Sequence, residues 1–472
     1  MVTPTDPNYP GQWYLQPGTG LDFRRIWDDW RGAGVTIGVV DTGFNHAHAE
    51  FGTRVDRTRD YDAVQKDADA SATGDDPHGT EVALLLAAGM NNGGRVGAAP
   101  EATLVGFRMG SVSTRTPAQE IDLLGRQAAV DISHNSWSYS GQPFRDDFAG
   151  ATFAAAGEAI RDAAATGRGG LGTVFVRSAG NYRAQGDDLG AHNYGNNRFS
   201  IAVGSVDSGG TVQPFSNPGA ALLLSAPGGA TSWSAPLVSG TVALMLQANP
   251  GLGWRDVQDI LALTARPTDI WRSGWLTNAA GDWNGGGMQF SRDYGHGIVD
   301  PRAAVRLAET WTARSTSANE LVRSGSAAPG LAIPDGDAAG VESTIAIAGA
   351  IVLDRAEVTL DIPHARAGDL QVSLVSPSGT SVLLYDRIGG GGTAEPLRFT
   401  TSAEAFRGEA GEGAWRLVVV DAAAGGTGTL AGWTLRLTGD APSADSNHVY
   451  TDAFQWLGKE PGRATLADTA GH

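Results

Sequence analysis

The chain has 472 residues, 41% of them hydrophobic, a formal charge of −17 and no cysteine. Such a length exceeds one ordinary core and favours two domains. An acidic chain without a basic tract is a poor partner for nucleic-acid phosphates, no apolar run is long enough to span a bilayer, and without cysteine disulfides play no part and give no hint of compartment.

The amino end, MVTPTDPNYP, lacks the basic and apolar regions of a secretory signal. Val35 to Val40 is an almost continuous apolar run, which predicts a parallel strand buried on both faces that delivers Asp41 to its carboxyl end. His78, followed by Gly79, Thr80 and a long apolar stretch, reads as the first turn of a buried helix. The segment GTVFVRSAGN predicts a second buried strand with Asn181 at the tip of the turn after it. Ser232 precedes a helix whose apolar positions run from Leu237 to Leu246, and Phe153 to Ala165 and Trp254 to Ala265 are amphipathic helical patterns. Up to about Leu307 the alternation of apolar runs and helices predicts a parallel α/β sheet. From Thr312 to Gly340 the texture changes to Ser, Ala, Gly and Asp, a linker plus the first edge of a new domain. The short segments AEVTLDI, DLQVSLVSP, SVLLYD, WRLVVVD and WTLRLTG then predict an antiparallel sandwich; pattern alone leaves open an unrelated carbohydrate-binding sandwich.

Acyl transfer needs a nucleophilic hydroxyl, an imidazole to take its proton and a carboxylate to orient that imidazole. Taken singly, an Asp at a strand end, a His before Gly-Thr and a Thr-Ser pair before a helix are ordinary turn, structural and capping residues. Here they occur in the order Asp, His, Ser, with an amide at Asn181 able to donate to an oxyanion. DTG at Asp41, HGT at His78, SAGN ending in Asn181 and TSWSAPLVSG around Ser232 resemble the four signature blocks of the subtilisin superfamily of serine endopeptidases. DPNYPGQWYL, LMLQANPGLGWRDVQDILALTA, LTNAAG and YGHGIVDPRAAV are similar to its kexin and furin branch, and DLQVSLVSPSGT and GWTLRLTG to that branch's P domain. The resemblance implies an α/β, subtilisin-like parallel-sheet catalytic domain over 1–311, a linker over 312–340, an all-β jelly-roll P domain over 341–440 and an extension over 441–472. It makes Asp41, His78 and Ser232 the triad and Asn181 the oxyanion donor; Ser234, which also precedes Ala-Pro, is a near decoy, since Pro236 stands four places after Ser232. Ala230 departs from the usual Gly and adds a methyl beside the nucleophile.

The resemblance also implies calcium, a hard cation that takes oxygen ligands. Asp6, Glu50 and Asn92 would supply side chains, and Gly89, Gly94 and Val96 carbonyls, although composition alone reads the two acids as solvated and the Asn-Asn-Gly-Gly run as a turn. For a second site Asp187 matches, but Asn217 stands where the branch has Glu. Substrate in an extended strand would pair with the edge Ser136, Trp137, Ser138, with Gly110 flanking the other side; Trp137 reads equally as a core aromatic. The branch reads paired basic residues with clustered carboxylates. Here Asp75 is retained while Thr42 and His192 replace two of the acids, with Asp146, Asp147 and Asp188 as nearby substitutes. The expectation is relaxed paired-basic selection with a residual preference for Lys or Arg.

The tail, DSNHVYTDAFQWL followed by RATLADTAGH, resembles segments that precede the calcium repeats of bacterial proteins exported by type I secretion. A secreted bacterial protease is therefore expected, acting on protein or peptide substrates, with a separate folding chaperone or an inhibitor as a further partner in place of a visible propeptide. The alternatives are a catalytically silent binding or adhesion protein on the same scaffold, and an esterase sharing the chemistry without an extended peptide groove.

Overall fold

The computed structural model describes residues 2–18, 20–73, 76–91, 93–111, 113–139, 141–272, 274–281, 287–390, 396–443 and 449. Seven strands form the first sheet: β1 (Thr36–Asp41), β2 (Tyr61–Asp62), β3 (Thr103–Arg108), β4 (Ile132–Asn135), β5 (Val174–Ser178), β6 (Ser200–Val206) and β7 (Leu224–Pro227). All pairs are parallel, in the order β2-β3-β1-β4-β5-β6-β7. The helices are α1 (His78–Ala87), α2 (Pro117–Leu124), α3 (Ala154–Thr166), α4 (Asn193–Asn196), α5 (Thr231–Ala248), α6 (Trp254–Thr264) and α7 (Pro301–Thr310). Ile37, Val39, Val40, Leu104, Val105, Phe175 and Val176 are buried, as expected of strands covered on both faces. The chain leaves β1 toward β3 on one side and β4 toward β5 on the other. Strand order thus reverses at β1 and β4, and a crevice opens beyond their carboxyl ends, where α/β sheets bind ligands.

A short antiparallel pair, β8 (Trp275–Thr277) and β9 (Gln289–Ser291), precedes the second domain. That domain contains β10 (Leu321–Ala327), β11 (Leu331–Ile333), β12 (Val341–Ile347), β13 (Val352–Ile362), β14 (Leu370–Val375), β15 (Ser381–Asp386), β16 (Leu397–Ala403), β17 (Gly413–Asp421), β18 (Gly428–Leu430) and β19 (Gly432–Asp440). Two four-stranded antiparallel sheets, β10-β19-β13-β16 and β12-β17-β14-β15, enclose Leu360, Trp415, Leu417, Leu435 and Leu437. The alternation seen in β12, buried at every second residue from Ser343 to Ile347, is the pattern of strands with one face on a core. The stretch 312–340 already contributes β10, an edge strand paired along its length with β19.

The two domains meet through buried charges. Arg407 Nη1 lies 2.5 Å from Asp259 on α6 and Arg255 Nε on α6 2.6 Å from Asp354 on β13, while within the second domain Arg355 Nη1 lies 3.0 Å from Glu404. Arg355 also donates to the carbonyls of Asn197 and Ala221 in the first domain. Buried ions must be fully partnered to persist, so this network fixes one docking geometry more than it adds stability.

Candidate active site

Asp41 ends β1 and its Oδ1 accepts from Thr42 N at 2.8 Å and from His78 Nδ1 at 2.7 Å. His78 opens α1, its backbone N held by Asp76 Oδ1 at 3.0 Å. The approach of α1 to the end of β1 depends on Gly79: a Cβ there would sit 2.2 Å from the Gly43 carbonyl oxygen. With Nδ1 donating to the carboxylate, Nε2 is the nitrogen left to act as base. Burial pulls the His78 pKa down, but the hydrogen bond and charge of Asp41, with Asp76, outweigh it and hold the imidazole above its ordinary value.

Ser232 lies in the first turn of α5 rather than before it. Its Oγ donates to the Ser136 carbonyl at 3.1 Å. Pro236 explains a second contact. Without an N–H it leaves the carbonyl of Ser232, four residues back, with no helical donor, and Ser136 Oγ supplies one at 3.0 Å. Ser136 Oγ also meets His134 Nε2 at 2.8 Å, and His134 Nδ1 meets Ser239 Oγ on α5 at 2.8 Å. His134 is fully buried, and desolvation lowers its pKa to about 3, so it is a neutral clamp between β4 and α5. Sequence reasoning missed His134 and Ser239; the signal available was a His inside a buried strand.

Asn181 follows Gly180, whose φ of +104° turns the chain out of β5. Asn181 Oδ1 accepts from both Thr231 N and Thr231 Oγ1 at 2.9 Å. With its oxygen taken, the amide nitrogen is the end left for the cavity that Asn181 lines. Asp41, His78, Asn181 and Ser232 share one cavity of about 590 Å³. Ser234 is fully buried and its Oγ points back along the helix to Ala230 O at 3.4 Å. Ala230 has φ −160°, extended backbone that any residue adopts, so alanine there adds a methyl but no strain.

Ser136, Trp137, Ser138 and Gly110 border the same cavity. Trp137 is both edge and core, since its side chain is 7% exposed and packs edge-on against Tyr194, with ring centroids 5.0 Å apart. Asp75 and Asn92 lie outside the described residues. His192 is buried, with Nδ1 3.1 Å from Asp146 Oδ1 and Nε2 2.8 Å from Asp187 Oδ1. Burial lowers the His192 pKa, yet the charge of Asp146 and hydrogen bonds to both carboxylates overcome it and push it up to about 10. Asp187 has no open oxygen: Oδ1 also accepts from Asp188 N, and Oδ2 from Asn217 Nδ2 and Gly141 N.

Around the expected calcium position the pattern differs. Asp6 and Glu50 are buried and converge on the loop at 91–95, Asp6 Oδ1 accepting from Asn91 N and Gly93 N and Glu50 Oε1 from Arg95 N. Among the described residues Glu50 Oε2 is buried without a hydrogen-bond partner. The carbonyls of Gly94 and Val96 accept from Asn8 N and Gln12 Nε2, each at 2.8 Å, which leaves each a second lone pair. Among the described residues no three His, Cys, Asp or Glu side chains converge as metal ligands, so a cation here would rest on two carboxylates and neutral oxygens. That donor set suits calcium.

The profile of the Subtilase family matches residues 32–297, and that of the proprotein convertase P-domain matches residues 353–437. The chain belongs to the Subtilase family. Curated relatives of this subtilase include furin of Mus musculus, 29% identical over 93% of this chain and 58% of furin, and endoprotease bli-4 of Caenorhabditis elegans, 31% identical over 94% of this chain and 51% of the relative. The chain thus spans little more than half the length of these relatives. Among solved structures, the Aeromonas sobria serine protease in complex with its chaperone superposes with a TM-score of 0.83 at 21% identity, over 94% of this chain and 96% of that one, a likeness of fold. No helix among the described residues is long and apolar enough to cross a membrane.

Proposed function

We propose that this subtilase is a calcium-dependent serine endopeptidase working through an acyl-enzyme. The observation that carries the reading is the hydrogen bond from His78 Nδ1 to Asp41 in the cavity shared with Ser232 and Asn181. In the reaction Ser232 Oγ bonds to the substrate carbonyl carbon while His78 Nε2 takes the hydroxyl proton, and Asp41 stabilises the imidazolium. The oxyanion receives the amide N–H of Asn181. His78 then returns the proton to the leaving amine, and water repeats the sequence on the acyl group. Substrate would lie extended along Ser136, Trp137 and Ser138, pairing main chain with main chain. Calcium would be held by Asp6, Glu50 and Asn92 with the carbonyls of Gly89, Gly94 and Val96, tying the amino-terminal segment to the loop after α1. A separate folding chaperone and extracellular action are part of the same reading, the former supported by the complex of the Aeromonas sobria serine protease with a chaperone.

A fluorophosphonate label tests it: stoichiometric modification at Ser232, lost in Ser232→Ala and kept in Ser234→Ala, is expected. A folded protein that takes no label would be a silent scaffold instead. Asn181→Ala should lower kcat about 10²–10³-fold, the cost known for losing one oxyanion donor in subtilisin, with little change in KM.

A further inference from the structure

The cavity wall that carries the Ser136–Ser138 edge alternates rings with guanidinium groups. Arg177 lies over Trp137, 4.1 Å from the ring centroid; Arg115 lies over Trp137 at 5.0 Å and Tyr139 at 4.9 Å; Arg145 lies over Tyr139 at 5.0 Å. The first two cations are engaged. Arg177 is fully buried and donates to Asn135 Oδ1 and the Trp137 carbonyl. Arg115 Nε lies 3.1 Å from Glu120 Oε1, and its Nη2 donates to the Ser138 carbonyl at 2.6 Å. Glu120 is itself buried and accepts from the hydroxyls of Tyr139 and Tyr194.

Arg145 stands at the exposed end of this ladder and lines the cavity that holds Ser232. Among the described residues its side-chain hydrogen-bond partner is the neutral Gln142, and it has no carboxylate partner. A guanidinium held over a ring has already given up part of its rotamer freedom, so a carboxylate that meets it there costs less to bind. A basic side chain meets the opposite situation on this wall. Asp146 and Asp187 hold His192, Glu120 holds Arg115, and Asp188 is ion-paired with Arg292. Among the described residues the acids that line the cavity are Asp41, which holds His78, and Asp76, which accepts from the His78 backbone N.

We propose that Arg145 is a specificity-determining residue that binds a carboxylate side chain in the substrate segment preceding the scissile bond, so that the enzyme cleaves sequences carrying Asp or Glu there in place of paired basic residues. The inference rests on the endopeptidase reading above. It differs from the sequence expectation of a residual preference for Lys or Arg, because Asp146 and Asp188, two of the acids that could rebuild a basic pocket, are already ion-paired within the fold.

The test profiles cleavage of a diverse peptide mixture by the full chain and by Arg145→Glu and Arg145→Lys, with fluorophosphonate labelling of each protein alongside. The expected wild-type result is enrichment of Asp and Glu at one position before the cut, by about tenfold or more in kcat/KM over Lys or Arg, shrinking as salt rises because the pair is exposed. Arg145→Lys should keep the sign of the preference, and Arg145→Glu should reverse it at the same position. A labelled, active enzyme with no acidic enrichment, or with a profile indifferent to Arg145→Glu, overturns the proposal and leaves the endopeptidase reading standing. Failure of both labelling and cleavage overturns the two together.

Discussion

Two acidic sites in the first domain are built from the same residue type and end in opposite electrostatic states. Backbone N–H groups of Asn91, Gly93 and Arg95 satisfy one oxygen each of Asp6 and Glu50, and among the described residues Glu50 Oε2 is buried with no donor. At Asp187, four donors occupy both oxygens, and the buried His192 ring bridges it to Asp146. A buried carboxylate oxygen without a partner is costly, and a cation relieves that cost. On the proposed reading the first site takes an ion from solution, whereas the second carries its cation in the chain. Counting acids does not separate these cases, whereas following each lone pair does.

The comparison is most sharply tested by Asp187→Asn. Removing one partner from a buried ionic cluster should cost about 3–5 kcal/mol, measured by urea unfolding, and the loss should be the same in calcium and in chelator. A loss that added calcium repairs would put a metal where the structure puts an imidazolium. Chelation of wild-type protein should act at the other site and have a smaller effect. At free calcium one hundred times Kd, its removal should cost about 2.7 kcal/mol by mass action. Glu50→Gln should be nearly indifferent to the chelator. A wild-type melting temperature unmoved by calcium and chelator alike would remove the metal from the first site.

Much of the catalytic fold was legible because its signals are local. Val35 to Val40 reads as a buried strand from its own composition, His78 to Ala87 as a helix from the run after Gly79, and Asp41, Asn181 and Ser232 follow as strand-end and helix-start residues. Residues whose roles come from distant partners were not legible. His134 works because its Nδ1 lies 2.8 Å from Ser239 Oγ on α5, and Glu120 because Arg115, Tyr139 and Tyr194 converge on it. In the second domain AEVTLDI and WRLVVVD announce β13 and β17, while LVRSGSA falls in the stretch read as linker plus first edge, where its low apolar content gives no strand bounds and its register comes only from β19. Asp187 shows the same limit: its position in the sequence suggested a calcium ligand, and Asn217, Gly141, Asp188 and His192 are what fill its oxygens.

The smallest expected effect is a pH dependence that only the second site should show. His192 has its pKa raised to about 10 in the folded chain, Asp146 and Asp187 outweighing burial, against about 6.5 when unfolded. A raised folded value means the charged ring contributes its full stability below the unfolded pKa, and that contribution is lost as pH rises toward and through the folded one. Between pH 7.5 and 8.5 the unfolded ring is already neutral and the folded ring still charged. One proton then separates the two states, and stability should fall by about 1.4 kcal/mol over that unit. His192→Gln should flatten this alkaline slope while leaving the calcium response at Glu50 intact, because nothing at Asp6 or Glu50 depends on the imidazole. Where the variant is too unstable to titrate, imidazole nitrogen shifts in the wild-type protein read the same quantity directly. A His192 ring found neutral at pH 8 would mean that Asp146 and Asp187 lack their built-in cation, and the contrast between the two sites would fail.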